Sequence, residues 1–184
     1  PASLYPTLAG GDLVTPDAYA AAFPKIPGVP PPAYSPLYQY DFGPGFHYAD
    51  GSGAMGLAPP RIVRTIPQLM PRADADGNET AGIRSPLLQA PLGSYVGWNV
   101  YAAGFQAGRY CGNTGGYIPF AATRAERLAK GDPRLSLEER YPSRAAYVAR
   151  VKAAADDLVA RRTLLAEDAA RLVAQARDAD LPLK

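Results

Sequence analysis

The chain has 184 residues, with 47% apolar side chains and 19 basic against 17 acidic groups. That fits one domain, or a large piece of one, with a real core, and it excludes a disordered chain. The near-balanced charge of +2 carries no basic stripe of the kind that marks a nucleic-acid binder.

A single histidine and a single cysteine narrow the chemistry further. The usual zinc sites need three or four His, Cys or carboxylate ligands, so no metal or other cofactor is expected. One cysteine makes an internal disulfide impossible, and the compartment cannot be read from bridges. No run approaches the roughly 18 apolar residues of a membrane span. The start, Pro1-Ala2-Ser3, has no signal-peptide pattern and suggests a mature or truncated product. Localisation stays open between the cytoplasm and an exported compartment.

Nineteen of the 20 prolines fall in residues 1–142, so a long proline-punctuated part precedes a helical tail. Residues 1–60 interleave Pro24, Pro27, Pro30, Pro31, Pro32, Pro36 and Pro44 with six tyrosines (Tyr5, Tyr19, Tyr34, Tyr38, Tyr40, Tyr48). Proline fixes φ and lacks a donor, so long helices and central strands are excluded. Thr15-Pro16-Asp17 predicts one short helix with Thr15 as N-cap. The rest reads as an extended wrapping segment whose tyrosines need a surface to lie on, ahead of a proline-rich ligand for a signalling module.

Residues 61–119 read as short strands, a hairpin and glycine-rich loops. Arg61 to Leu69 carries β-branched residues, and Asp74-Ala-Asp-Gly-Asn-Glu79 has the composition of a turn returning into a second strand, Thr80 to Arg84. An EF-hand loop wants glycine sixth, whereas Gly77 falls fourth. Ser94 to Tyr101 predicts a further strand. The glycines from 104 to 116 match no phosphate-binding fingerprint and read as an irregular loop.

Residues 120–184 are helical. Thr123-Arg-Ala-Glu126 and Ser136-Leu-Glu-Glu139 are capping boxes, Gly131 is a stop, and Ser143 caps a long helix. Tyr147, Val151, Ala154, Leu158 and Leu165 define its apolar stripe, widened by Val148, Ala155 and Val159. A last amphipathic helix runs from Asp168 to Arg177 through Leu172, Val173 and Ala176. The charges from Arg144 to Arg162 lie mostly opposite that stripe and read as the solvated face of the long helix. Taken alone, the chain is α+β.

A serine hydrolase needs an activated hydroxyl, a histidine base and an orienting acid. None of the seven serines lies in a G-x-S-x-G elbow, though Gly51-Ser52-Gly53 comes near. His47 is the only available imidazole base and reads first as a hydrogen-bonded loop histidine. Cys111 reads as a small buried residue rather than a nucleophile.

Three groups of residues carry a resemblance. They are Asp74 to Pro86 with Ala90 to Asn99; Gly116 to Phe120 with Arg124 to Arg127; and Gly131 to Tyr141, followed by Tyr147-Val-Ala-Arg150 and Leu164-Leu-Ala-Glu-Asp168. Pro1 to Pro6 and Phe23 to Gly28 match as well. The chain resembles the carboxy-terminal region of bacterial alpha/beta hydrolase domain-containing proteins. The resemblance implies an α/β-hydrolase-related C-terminal segment, with the serine nucleophile and catalytic histidine upstream of Pro1, so no catalytic residue is assigned in this chain. It implies a two-chain processed enzyme, a proteolytic fragment, or a remainder carried by another chain. The expected function is a segment of a serine-hydrolase-like protein acting on a small carboxylic ester, covering a catalytic core that is its main partner. Tyr95, Trp98 and Asn99 are the candidates for a pocket margin, with Trp98 reading first as core. A non-enzymatic structural or binding subunit of a larger complex is the competing class, and a small enzyme using His47 a third.

Overall fold

A computed structural model of the chain describes residues 5–30, 36–112 and 114–183. Pro1 to Leu4, Pro31, Pro32 and Tyr34, used in the sequence argument, lie outside them. In chain order the elements are β1 (Leu13–Val14), α1 (Pro16–Ala22), β2 (Leu37–Asp41), β3 (Phe46–His47), β4 (Ser52–Gly53), β5 (Arg61–Ile66), β6 (Met70–Pro71), α2 (Pro86–Gln89), β7 (Gly93–Val96), β8 (Asn99–Val100), β9 (Tyr110–Gly112), β10 (Gly116–Pro119), α3 (Arg124–Lys130), α4 (Leu137–Arg140), α5 (Arg144–Ala160) and α6 (Ala166–Asp178). The strands form five two-stranded antiparallel sheets, β1–β6, β2–β5, β3–β4, β7–β10 and β8–β9.

The chain divides into two compact units. One joins residues 1–32 to 70–184, and the other is 33–69. In the smaller unit β2 and β5 make a bulged ribbon, and every residue of β5 is exposed. The strand 61–66 thus pairs with 37–41, not with 80–84, which forms no strand. The turn between them is real, closed by the Ala73↔Glu79 bridge, but it joins no ladder. Tyr38 and Tyr40 sit in a strand rather than an extended wrap; Pro36 and Pro44 bracket it, which is tolerable because a two-stranded ribbon is all edge.

In the larger unit, two apolar clusters form. Ala90, Phe120, Leu137, Tyr141, Tyr147, Val151 and Ala176 make the first, and Tyr19, Phe23, Ile26, Val96 and Trp98 the second. Helix ends follow local chemistry. The hydroxyls of Thr15, Thr123, Ser136 and Ser143 each accept a backbone N–H of the first turn. Ser136 and Glu139 form a reciprocal capping box, whereas Glu126 reaches past Thr123 to the N–H of Ala122. Gly131, at φ 68°, ends α3 in the left-handed conformation.

Tyr147, Val151, Ala154, Ala155 and Leu158 are buried along α5 as the stripe predicts. Leu165 is exposed, because α5 ends at Ala160 and Leu165 falls at the start of α6. Arg144 is more than a solvated charge. Its guanidinium donates to the carbonyls of Arg177, Ala179 and Leu181 and so ties the end of α6 to the start of α5.

Candidate functional site

Asp74 orders the 74–79 turn, its Oδ1 accepting from the N–H of Asp76 and of Asn78 at 3.0 Å each. The turn holds Asn78 fully buried against β7, where its amide donates to Gly93 O (3.0 Å) and its carbonyl accepts from Tyr95 N (2.8 Å). The Ser94 hydroxyl donates to Asp76 O. From the far side comes Arg134, only 3% exposed. Its Nε and Nη2 grip Asp132 (3.0 and 2.7 Å), Nη1 donates to Ser94 Oγ and Ile118 O, and Nη2 also to Pro119 O. Burial by itself would raise the Asp132 carboxyl, but the hydrogen bonds from Arg134 outweigh it and hold it low. Arg140 adds a bidentate pair to Asp76 and stacks 3.9 Å over the Phe120 ring. Every guanidinium donor direction of Arg134 has an acceptor, so Arg134 has no donor left for a ligand. The network locks the 74–79 turn, the β7–β10 ribbon and the 132–140 segment together.

Beside the network, β7 and β10 carry the predicted margin residues. Trp98 is 7% exposed, its ring 5.4 Å from that of Phe23, so its first role is in the core. Trp98, Val96, Val100, Ile118, Asn99 and Tyr117 line an open depression of ≈ 160 Å³. The Asn99 amide is spent on Thr114 and Gly115 carbonyls at 2.8 and 3.0 Å, closing the turn into β10. Gly116 forms part of the same wall; a Cβ there would lie 2.6 Å from Trp98 O and 2.8 Å from Asn99 Oδ1. Tyr95 does not line the depression. It is half-buried against Tyr117, ring centroids 5.2 Å apart. Desolvation, helped by the neighbouring Tyr117 and Tyr147 phenols, pushes its hydroxyl up to about 12, so it stays neutral and cannot act as a base.

His47 lies on β3 in the smaller unit, its Nδ1 3.1 Å from Ser52 Oγ on β4. Two residues singled out separately by sequence are therefore brought together. The acid of that turn, Asp50, accepts from the Ser52 N–H, not from the imidazole, and its carboxyl is held low by those contacts with Ser52. A nucleophile, base and orienting acid in series are not assembled there. The pair closes an exposed hairpin. Cys111 is exposed on β9, not buried: β9 pairs only with β8 and no layer covers it. Among the described residues no group of three or more His, Cys, Asp or Glu is placed to hold a metal ion, and no helix is long and apolar enough to cross a membrane.

A family model described as an alpha/beta hydrolase domain matches residues 27–174. The chain belongs to that family. The match takes in Asp76, Asn78, Ser94, Asp132, Arg134 and Arg140 of the polar network and most of the first apolar cluster, while Tyr19, Phe23 and Ile26 of the second lie before it. No curated protein and no solved structure matches the chain. Sequence reasoning missed the network itself: neither Asp132 nor Arg134 is singled out by any local pattern. The signal was present, because the two strings Asp74–Asn99 and Gly131–Tyr141 hold Asp76, Asn78, Ser94, Asp132, Arg134 and Arg140.

Proposed function

We propose that this chain is the covering part of a serine-dependent carboxylic-ester hydrolase, whose nucleophile and histidine base are supplied by a catalytic core outside it, in the same protein or a companion chain. One contrast carries the reading. The chain is an alpha/beta hydrolase family member, yet its described strands pair only two by two and antiparallel, and its sequence has no G-x-S-x-G elbow. In that architecture the nucleophile sits on a strand-to-helix turn above a larger sheet. The resemblance of its sequence strings supports reading the segment as bacterial and C-terminal.

Exposed apolar surface supports a covering role. Ile62, Val63 and Ile66 of β5, with Met55 in the same unit and Phe105 at 97% exposure in the larger one, are apolar side chains that a partner could cover. Within this reading Trp98 and Asn99, with Tyr95 behind them, form a margin of the substrate pocket. The same exposed surface is what a structural or binding subunit of a larger complex would present, which is the second reading.

Native mass spectrometry of the purified material, followed by denaturing mass and an ester assay, decides between them. A larger polypeptide bound one-to-one, or a longer single chain, that hydrolyses p-nitrophenyl esters is the expected result. A lone folded species near 19.5 kDa, or a complex with partners lacking any serine and histidine pair, sinks the hydrolase reading and leaves the binding subunit.

A further inference from the structure

The depression at the foot of the β8–β9 hairpin has a chemistry of its own. Its sides are mainly Val29, Val96, Val100 and Ile118 with Trp98. Among the described residues its rim has two polar side chains, whose donors are committed: the Asn99 NH2 to the 114–115 carbonyls and the Tyr117 hydroxyl to Leu92 O at 3.1 Å. Among the described residues no carboxylate, amine or guanidinium lines it. A charged ligand would lose its hydration there and find no counter-charge in exchange. An apolar group loses nothing.

The size is also selective. At ≈ 160 Å³ the space is close to the roughly 150 Å³ of an apolar cavity that accepts one benzene ring. Its shape is fixed by backbone. Gly116 packs directly on the Trp98 carbonyl, and the Asn99 side chain pins the far edge, so the site is preformed and not a gap that closes by small rearrangement.

The geometry points to a subsite for one uncharged apolar group, an aromatic ring or a branched chain of similar volume, presented by the ester that the hydrolase cleaves. This rests on the hydrolase reading above and names the substrate class for it. Val100 determines the fit: it stands on the hairpin side of the depression and is partly buried. Val100→Phe fills the space, and Val100→Ala enlarges it.

The complete protein is used for the test, in two measurements. The ratio of kcat/KM for p-nitrophenyl benzoate over p-nitrophenyl acetate is expected to fall about tenfold or more in Val100→Phe. The same ratio should rise in Val100→Ala, which carries the test if the larger substitution fails to fold. A ratio unmoved in both variants overturns the subsite. Saturation-transfer NMR with benzyl alcohol needs no turnover: ring protons should receive saturation from the wild type and lose it in Val100→Phe. Absence of transfer on the wild type, as when another part of the protein already fills the depression, also overturns the subsite. An absence of all ester hydrolysis with benzyl alcohol still bound there would sink only the hydrolase reading.

Discussion

Arg134 and Asp132 are two residues apart and both almost fully buried, a placement that is costly unless every charge and donor is met. They meet it through Ser94 and the carbonyls of residues 118 and 119, which lie 15 to 40 positions away. Removing one partner is therefore expected to be severe. Arg134→Ala should lower unfolding stability by about 3–5 kcal/mol, because Asp132 is left as an uncompensated buried charge. Arg134→Lys should rescue little, since a point charge cannot replace a fork that serves four acceptors. Denaturant unfolding of the complete protein measures both; a loss under about 1 kcal/mol would mean that water already reaches the pair. Local sequence offered no way to see this. Arginine and aspartate near a proline look like any exposed loop until the ribbon carbonyls arrive beside them.

At the scale of elements, the short α4 depends on its first turn. Ser136 and Glu139 satisfy each other's backbone donors, and Arg127 from α3 adds a two-point ion pair to the same carboxylate at 2.6 and 2.8 Å. The Arg127 hydrogen bond first, then the Ser136 backbone N–H, hold the Glu139 carboxyl down at about 2. A carboxyl lowered in the folded state contributes stability that is fully present above the ordinary glutamate range, and loses it as pH falls from that range towards about 2. Acid titration of the unfolding midpoint should show that slope, and Glu139→Gln should flatten it. An unchanged acid profile in the variant would mean that Arg127 and Glu139 are not paired in solution. The capping box was legible in the sequence because its spacing is its mechanism. The α3 contact was not, since nothing local couples Arg127 to a residue twelve positions on. Strand pairing divides the same way: the turn at 74–79 is local chemistry, but the partner of 61–66 is chosen by apolar and aromatic cross-strand neighbours in residues 37–41.

At the scale of the whole molecule, the exposed β2–β5 ribbon is the feature that most needs a partner. Ile62→Lys with Val63→Lys in the complete protein tests whether it has one. If the ribbon is covered, the pair should cost about 2–4 kcal/mol through burial of unpaired charge and lost apolar contact. If it faces water, the change should stay within about 0.5 kcal/mol. What the sequence by itself determined are the events that depend on neighbours within a few residues: helix caps and stops, the apolar stripe of α5, the acidic turn, and the family, whose signature is a string of residues. What only the tertiary structure decided depends on residues far apart in the chain. Asp76 meets Arg140 sixty-four positions on, Trp98 packs on Phe23, His47 meets Ser52 without its acid, and Cys111 stays in the open. Those outcomes turn on which surfaces close over which groups, and burial is a property of the folded arrangement and not of any local run of residues.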